Sequence, residues 1–572
     1  MSSVPATAPA TDGALTHKQI LTILTGLMLG MFLAALDQMI VATAIRTIGD
    51  DLHGLSAQAW VTTAFLITST IATPLYGKLS DIYGRKPLFM IAITIFITGS
   101  ALCGLSQSMY MLAAFRAFQG IGAGGLFSLA LAILGDLIAP RERARYQGYF
   151  MAVFATSSVL GPVIGGFFAG QQSILGITGW RWIFYINIPI GLIALVVVNR
   201  TLHVHHERRD HRIDWFGAAA LIVGLVPLLI IAEQGRLWGW ASPVAFACYL
   251  LGVAGLASFV YVESRMGDDA LIPLRLFRRS QTFSVGSGQS FIIGVGMFGG
   301  LASIPLYLQI VKGASPTEAG LLILPMVAGI MAASIFSGQL TSRTGRYRIF
   351  PIIGSALLVI GMLLLSTISA HTPLWRTALY MVVFGAGLGL NMQTIVLAMQ
   401  NAVPVRDMGV ATSSVTFFRQ VGGTLGTAIF LSILFSAAPT KIAGRFREAG
   451  FRPPSGAVNL NDTSNINTLP PAVKEPILAG FSDAMNIVFL VGACVLVVAF
   501  VLSLMMKEVP LRQMSGIEQA RADAAAAGVT AAAANGQSAT VPDGAAVGSN
   551  GRYAAGVSSD GGVSPPALPP GR

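Results

Sequence analysis

Long apolar stretches follow one another along most of the chain, and they constrain its fold more than any other feature. A helix needs roughly 20 apolar residues to cross the hydrocarbon core of a bilayer. About fourteen stretches approach this length. They lie near residues 20–45, 58–77, 87–106, 109–134, 147–170, 181–199, 213–232, 243–262, 283–308, 317–340, 349–369, 374–400, 410–436 and 484–506. The sequence therefore predicts an all-α polytopic membrane protein.

Composition supports this prediction. Hydrophobic residues make up 54% of the 572-residue chain and charged residues only 11%, whereas soluble domains carry roughly 25% charged residues. A water-soluble protein of this length could not bury so much apolar surface, so most of it faces lipid. The net charge of +11 comes from short clusters between the apolar stretches. Such scattered clusters do not form the domain-sized basic face that a nucleic-acid partner requires.

Lysine and arginine are concentrated in alternate loops, and this asymmetry predicts the orientation. Cytoplasmic loops of membrane proteins are enriched in these residues. The other short loops carry few of them, so both termini are expected in the cytoplasm and the chain in the inner (cytoplasmic) membrane. The basic loops are residues 78–86, 141–145, 200–212, 265–279 and 343–348.

An internal repeat divides the chain into two halves. The stretch Gly-Lys-Leu-Ser-Asp-Ile-Tyr-Gly-Arg-Lys at 77–86 recurs at 338–347 as Gly-Gln-Leu-Thr-Ser-Arg-Thr-Gly-Arg-Tyr. Two homologous halves are the plan of many secondary transporters. We therefore expect a cytoplasmic segment (1–19), a six-helix bundle (20–205), a spacer with two transmembrane helices (206–280), a second six-helix bundle (281–510) with a long outer loop (436–482), and a disordered cytoplasmic tail (511–572) rich in Ala, Gly and Ser.

Asp37 lies inside the first apolar stretch. A carboxylate there costs roughly 2.5–3.5 kcal/mol on insertion scales, which favours either protonation or a cationic partner. Arg116, in the fourth stretch, is expected at a similar depth because each helical residue rises 1.5 Å. We predict that the pair couples protons. The alternatives are an Asp37 hydrated at the outer interface and an Arg116 that reaches the surface or braces the bundle.

The first copy of the repeat predicts a gating loop. Gly77 and Gly84 permit a tight turn, Asp81 suits a helix N-terminus, and Arg85 and Lys86 suit the cytoplasmic face. We predict a breakable latch between the halves. The second copy has Ser342 where the first has Asp81, so the latch is expected to be asymmetric. A simple basic turn is the alternative.

The fifth stretch contains Gly161, Pro162, Gly165 and Gly166. Small residues allow close helix packing in a membrane, and neighbouring helices can satisfy the backbone that a proline frees. The pattern predicts a kink or a seal.

Polar side chains in other apolar stretches are candidates for a substrate cavity. Arg419 follows Phe418 well inside the thirteenth stretch. The same residues could instead join helices to one another, with a contribution of about 0.6 kcal/mol each. The candidate cavity residues are Gln119, Gln309, Asn391, Gln393, Phe418 and Arg419.

No cofactor or metal site is predicted. His203, His205, His206 and His211 cluster beside two arginines, which favours a solvated cationic loop over a metal site. An integral-membrane enzyme is the alternative of a different class, and it would need a metal cluster or a nucleophile near a membrane face.

Together these motifs resemble the major facilitator superfamily, and in particular its fourteen-helix drug:proton antiporter branch. The similarity covers roughly residues 20–512. The motifs are Gly77, Leu79, Asp81, Gly84, Arg85 and Lys86 in the loop; Arg116, Gln119, Gly120 and Gly122 in the fourth helix; Gly148, Gly161, Pro162, Gly165 and Gly166 in the fifth; Asp37 to Val41 in the first; and Trp180 to Pro189 in the sixth.

The resemblance implies two six-helix bundles with a two-helix spacer that export amphipathic or cationic drugs in exchange for protons. It implies that Asp37 and Arg116 carry proton coupling, that Asp81 and Arg85 gate, and that Gly161 and Pro162 seal. Expected partners are a small amphipathic substrate, protons and the lipid bilayer, with the monomer as the working unit. The same fold could instead export a specific metabolite, a lipid or a self-made antibiotic.

Overall fold

The computed structural model describes residues 17–53, 58–202, 214–267, 269–450 and 469–512. Helices dominate these ranges, and a two-residue antiparallel ribbon pairs Ser173 with Thr178. Several predictions lie outside the described residues: the first 16 residues of the N-terminal segment, the histidine cluster at 203–211, and all of the tail beyond residue 512.

The first bundle contains six helical segments, because α6 and α7 follow one another almost without a break. Its cores join side chains from all of these segments, for example Leu27, Phe96 and Leu126. The helices are α1 (His17–Asp51), α2 (Gln58–Tyr83), α3 (Arg85–Gly104), α4 (Met109–Leu137), α5 (Pro140–Ala169), α6 (Trp182–Tyr185) and α7 (Asn187–Thr201).

A helical hairpin follows, formed by α8 (Trp215–Trp238) and α9 (Pro243–Met266). Side-chain caps start both helices, since Asp214 accepts from the Gly217 amide at 2.7 Å and Ser242 from the Ala245 amide at 3.2 Å. The short helix α10 (Leu274–Arg279) leads into the second bundle. Apolar side chains of α8, α2 and α16 share one core cluster, which fixes the hairpin against both bundles.

The second bundle repeats the plan of the first. A π-helical turn at Tyr307–Val311 continues α11, and α12 and α13 form one nearly continuous segment that starts with a capping box of Ser315 and Glu318. A single large core joins these helices. They are α11 (Gln281–Leu306), α12 (Pro316–Leu322), α13 (Leu324–Thr344), α14 (Ile349–Leu365), α15 (Leu374–Asn401), α16 (Met408–Glu448) and α17 (Pro471–Met505).

Twelve helical segments of the described chain are long and apolar enough to cross a membrane. The two other members of the bundles are α2, which carries Lys78 and Asp81 near its end, and α14, an apolar helix of 17 residues. The fold is therefore that of a multi-pass all-α membrane protein. The count of fourteen spans remains a prediction.

The predicted long outer loop at 436–482 is wrong at both of its ends. Helix α16 continues to Glu448 and reaches 41 residues, about 60 Å at 1.5 Å per residue and twice the hydrocarbon core, while α17 already begins at Pro471. Arg445 joins the two extensions through hydrogen bonds of 2.7 and 3.0 Å to Asp483. The length of an apolar stretch indicates where a span leaves the lipid. A helix that is bonded to a neighbouring helix can nevertheless continue beyond that point into water.

The start of α16 lies beside the turn between α2 and α3, because Gly409 packs against Asp81 and Arg85. The segment after α17 lies at this same end, since Asn401, just before α16, donates to the carbonyls of Val509 and Pro510. The starts of α11 and α14 lie there too, because Gln281 and Arg348 donate to carbonyls at the end of α17. We call it the α2–α3 end of the molecule.

Candidate functional site

Asp37 is completely buried and receives hydrogen bonds from three side chains. Its Oδ2 pairs with Arg116 Nη1 at 2.5 Å. Its Oδ1 accepts from Gln119 Nε2 at 3.0 Å and from Asn187 Nδ2 at 2.8 Å. Helices α1, α4 and α7 thus meet at one carboxylate. The structure brings Asp37 and Arg116 together, at the depth that the helical rise predicts.

A second layer orients these donors. Ser100, on α3, accepts from both Gln119 at 3.2 Å and Asn187 at 2.8 Å, and it donates to the carbonyl of Phe184 at 2.9 Å. Gln119 also accepts from Arg116 Nη1 at 2.8 Å. Each amide is therefore held from two directions. We call Asp37, Ser100, Arg116, Gln119 and Asn187 the Asp37 cluster.

Arg116 is 1% exposed, and its guanidinium lies 3.9 Å from the centre of the Phe65 ring. A buried ion pair is stable only if its geometry is good and its remaining donors are satisfied. Within the described residues, however, Nε of Arg116 has no hydrogen-bond partner. Protonation of Asp37 would remove the charge that compensates this arginine, so the cluster can change its hydrogen bonds when one proton arrives.

The glycine and proline motif of α5 lies directly against α1, next to Asp37. Gly161 packs on Met39 and Gly165 on the carbonyl of Ile40, so any side chain at these positions would collide with α1. The ring of Pro162 lies against Gly320 of α12, which belongs to the other bundle. The motif therefore connects the Asp37 region of α1 with the second half of the chain. Gly166 accepts a bond from the Gly170 amide near the end of α5.

The predicted gating loop is held by ion pairs within the first bundle. Arg85 pairs with Asp81 at 2.6 Å and with Asp136 of α4 at 2.7 Å. Gly84 has a φ of +94°, a conformation that favours glycine. Lys86 donates to the carbonyl of Asn199 at 2.7 Å.

The contact of this loop with the second bundle is close packing against α16. Gly77 lies on Ser413, and Gly409 of α16 lies on Asp81 and Arg85. Deeper along the same pair of helices, the Thr73 hydroxyl contacts Gln420 Oε1 at 3.2 Å. Helices α2 and α16 are therefore in contact at the α2–α3 end, with two glycines at the contact.

The six candidate cavity residues do not form one group. Gln119 belongs to the Asp37 cluster. Asn391 Oδ1 accepts from Gln289 Nε2 at 3.3 Å and from Ser355 Oγ at 3.4 Å, in a separate neutral cluster inside the second bundle. For Asn391 these bonds favour the alternative role of joining helices.

The other candidates lie elsewhere. Phe418 packs edge-on against Phe277, near the spacer hairpin. Gln309 is half-buried in the π-helical turn, and Gln393 is buried. Arg419 is half-buried in the first third of α16, and no partner of its guanidinium is seen among the described residues.

Sequence reasoning missed several members of these sites. Ser100 and Asn187 are ordinary polar residues in apolar stretches, and only the fold brings them to Asp37. Asp407, in the short segment between α15 and α16, was also not singled out. It is 6% exposed and pairs with Arg275 at 2.9 Å. The position of Arg275 in the basic loop 265–279 was a signal that could have pointed to it.

A family model described as the Major Facilitator Superfamily matches residues 27–427. The chain belongs to the major facilitator superfamily. It is 37% identical over 490 residues to an uncharacterized MFS-type transporter of Mycobacterium tuberculosis, covering 86% of this chain and 70% of that protein. It is 33% identical over 533 residues to the multidrug transporter protein MdtP of Bacillus subtilis, covering 89% and 96% of the two chains.

A further relative is multidrug resistance protein 3 of Bacillus subtilis, 35% identical over 507 residues, which are 86% of this chain and 96% of the relative. Among solved structures, the proton:xylose symporter XylE superposes with a TM-score of 0.57 at 16% identity, over 88% of this chain and 99% of that one. This likeness supports the fold alone. The family and the names of its members point to a transporter of small molecules and not to an enzyme.

Proposed function

We propose that this protein of the major facilitator superfamily is a proton-coupled antiporter that exports amphipathic or cationic drugs by alternating access. The observation that carries the proposal is the completely buried Asp37, held by Arg116, Gln119 and Asn187. A carboxylate within the membrane is energetically unfavourable, so one that is found there is interpreted as functional. The named multidrug relatives support the choice of cargo.

In this mechanism Asp37 gains one proton from the outer side and loses it to the cytoplasm in each cycle. Protonation weakens the bonds from Arg116 and Asn187, which releases α1 from α4 and α7. Because Gly161 and Gly165 pack on α1 and Pro162 touches Gly320, a shift of α1 reaches the second bundle through α5. The proton that enters on Asp37 leaves from Asp37, so no other acceptor is required.

We assign the α2–α3 end to the cytoplasm, because its loops hold the concentrated lysine and arginine. The contact of Gly77 with Ser413 then closes the cytoplasmic end between α2 and α16. Loss of this contact is the opening step. The ion pairs of Arg85 keep the loop rigid on its own bundle, and the glycine contact is the part that separates.

The first experiment measures drug-induced proton release in inside-out vesicles that contain the full chain. We expect a cationic dye to discharge the pH gradient with the wild type and not with Asp37→Asn. Glu475→Gln serves as the matched control, because it removes a carboxylate that is 68% exposed, and it should behave as the wild type. If Asp37→Asn still couples dye to protons, the proposed proton site is wrong.

Arg419 favours a second candidate cargo. A half-buried guanidinium in a spanning helix, without a partner among the described residues, is suited to a substrate with a carboxylate or phosphate group. This observation supports a dedicated exporter of an acidic metabolite or antibiotic. Arg419→Gln separates the two cargoes: it should abolish transport of an acidic compound, whereas it should preserve or improve transport of a cationic dye.

A further inference from the structure

A basic cavity lies where the spacer hairpin joins the second bundle. The end of α9 forms one wall and α10 forms the other. Its volume of about 310 Å³ is at the lower end of the range for small-ligand sites. The lining residues are Glu263, Ser264, Gly267, Leu274, Arg275, Arg278 and Arg279.

Glu263 provides the one carboxylate among these lining residues, and backbone amides donate hydrogen bonds to it. Glu263 is 1% exposed, and its two oxygens accept from the amides of Leu271 at 3.1 Å and Ile272 at 3.2 Å. This carboxyl group therefore holds the turn between α9 and α10. Asp407, an acidic residue next to the cavity, is paired with Arg275 at 2.9 Å.

Arg278 and Arg279 remain available for a ligand. Both side chains are exposed, and neither has a hydrogen bond or ion pair in the part of the chain that the structure describes. Guanidinium groups bind phosphate with paired, charge-assisted hydrogen bonds. The cavity therefore presents an open, positively charged face with the chemistry of a phosphate site.

The surroundings of the cavity are those of a membrane boundary. Along α9, the apolar side chains of Leu250, Val253 and Val260 are 72%, 64% and 52% exposed, so this face of the helix is covered by lipid. Nearer the cavity, Tyr261 is exposed with the Arg265 guanidinium 5.2 Å from its ring centre. Aromatic and basic residues of this kind lie at the level of lipid headgroups.

We propose that this cavity binds the phosphate of an anionic phospholipid. Arg278 and Arg279 donate to the phosphate, and the acyl chains lie along the exposed apolar face of α9. The orientation proposed above assigns the site to the cytoplasmic leaflet. The site itself does not depend on the cargo or on proton coupling. A soluble phosphate compound can accept the same hydrogen bonds from the arginines, but it has no acyl chains to lie along α9.

The test uses the purified full chain in detergent and measures lipid binding by native mass spectrometry. Phosphatidylglycerol should bind more tightly than phosphatidylcholine. The double variant R278Q/R279Q should lose about fivefold in affinity for phosphatidylglycerol per arginine. The double variant R343Q/R346Q removes two exposed arginines from another loop at the same end, and it should bind as the wild type does. R278K/R279K, which keeps the charge without the paired geometry, should retain an intermediate affinity.

Several outcomes would overturn the site. Equal loss in R278Q/R279Q and R343Q/R346Q would mean that only the general positive potential attracts lipid. Equal binding of the two lipids by the wild type would show that the site does not select a lipid with a net negative charge, and the proposal of an anionic phospholipid would fail. If glycerol phosphate binds as tightly as phosphatidylglycerol, the ligand is a soluble anion and the lipid proposal fails. Thermal unfolding of each variant in the same detergent checks that the fold is intact. If R278Q/R279Q unfolds at a lower temperature than the wild type, the affinity of R278K/R279K for phosphatidylglycerol becomes the deciding measurement.

Discussion

The two bundles repeat one architecture, but they hold different polar clusters at different depths. In the first, the Asp37 cluster contains an ion pair and lies toward the end opposite the α2–α3 end, since Arg116 is only seven residues from the start of α4. In the second, Gln289, Ser355 and Asn391 are all neutral, and Gln289 lies about 12 Å from the start of α11. The polar cluster of the first bundle therefore contains a carboxylate and a guanidinium, whereas the described polar cluster of the second is formed by neutral side chains.

The two copies of the repeated loop differ in the same way. In the first copy Arg85 is fixed by Asp81 and Asp136. In the second, the tyrosine at the position of Lys86 is Tyr347, whose hydroxyl accepts from the Val509 amide at 2.9 Å. Burial raises the pKa of this hydroxyl, so it stays neutral at physiological pH. The first loop is a charged element at the interface between bundles, and the second is anchored to the segment that follows α17.

The largest difference between the two bundles should appear when one charge is removed from the Asp37 cluster. Arg116→Gln leaves a buried carboxylate without its cation, which should cost about 3–5 kcal/mol of stability. Adding Asp37→Asn should restore most of that loss but not proton coupling. Thermal unfolding in detergent measures the first effect, and vesicle proton release measures the second.

If the double variant is as unstable as Arg116→Gln alone, the arginine contributes mainly through packing on Phe65. The ion pair of the first bundle would then contribute little to its stability.

The next largest effect is expected from a substitution at the contact between α2 and α16. Gly77→Ala forces a methyl group into Ser413, so we expect α2 and α16 to separate and transport to fall by more than about tenfold, the effect of 1.4 kcal/mol. Gly444→Ala, in α16 with open space around it, is the control and should be neutral or slightly stabilising. Modification of a cysteine introduced near Ser413 reports the opening. Unchanged cysteine access in Gly77→Ala would show that this contact does not close the cytoplasmic end.

The neutral cluster should give the smallest effect. Asn391→Ala removes contacts to Gln289 and Ser355 that are each worth about 0.6 kcal/mol, so unfolding should shift slightly and proton coupling should persist. A complete loss of coupling in this variant, with the protein folded, would place part of the proton path in the second bundle.

Much of the fold and part of the candidate site could be predicted from the sequence. Apolar stretches predicted a polytopic all-α fold because lipid requires every spanning backbone to satisfy its own hydrogen bonds. Asp37 and Arg116 were recognisable as partners because charges are rare in such stretches and helical rise fixes their depth. The extent of α16 and α17 was not readable, since their polar ends are stabilised by each other, through Arg445 and Asp483.

The class of protein, its internal repeat and the charged residues worth testing could be predicted from the sequence, because they follow from the apolar solvent and from spacing along one helix. The neutral residues that join the charged ones are selected by the packing of the helices. Ser100 and Asn187 reach Asp37 because α3 and α7 pack beside α1, and Arg278 and Arg279 line a cavity because α10 folds back on α9. Contacts between helices depend on rotation and crossing, which hydropathy and spacing along a single helix do not specify.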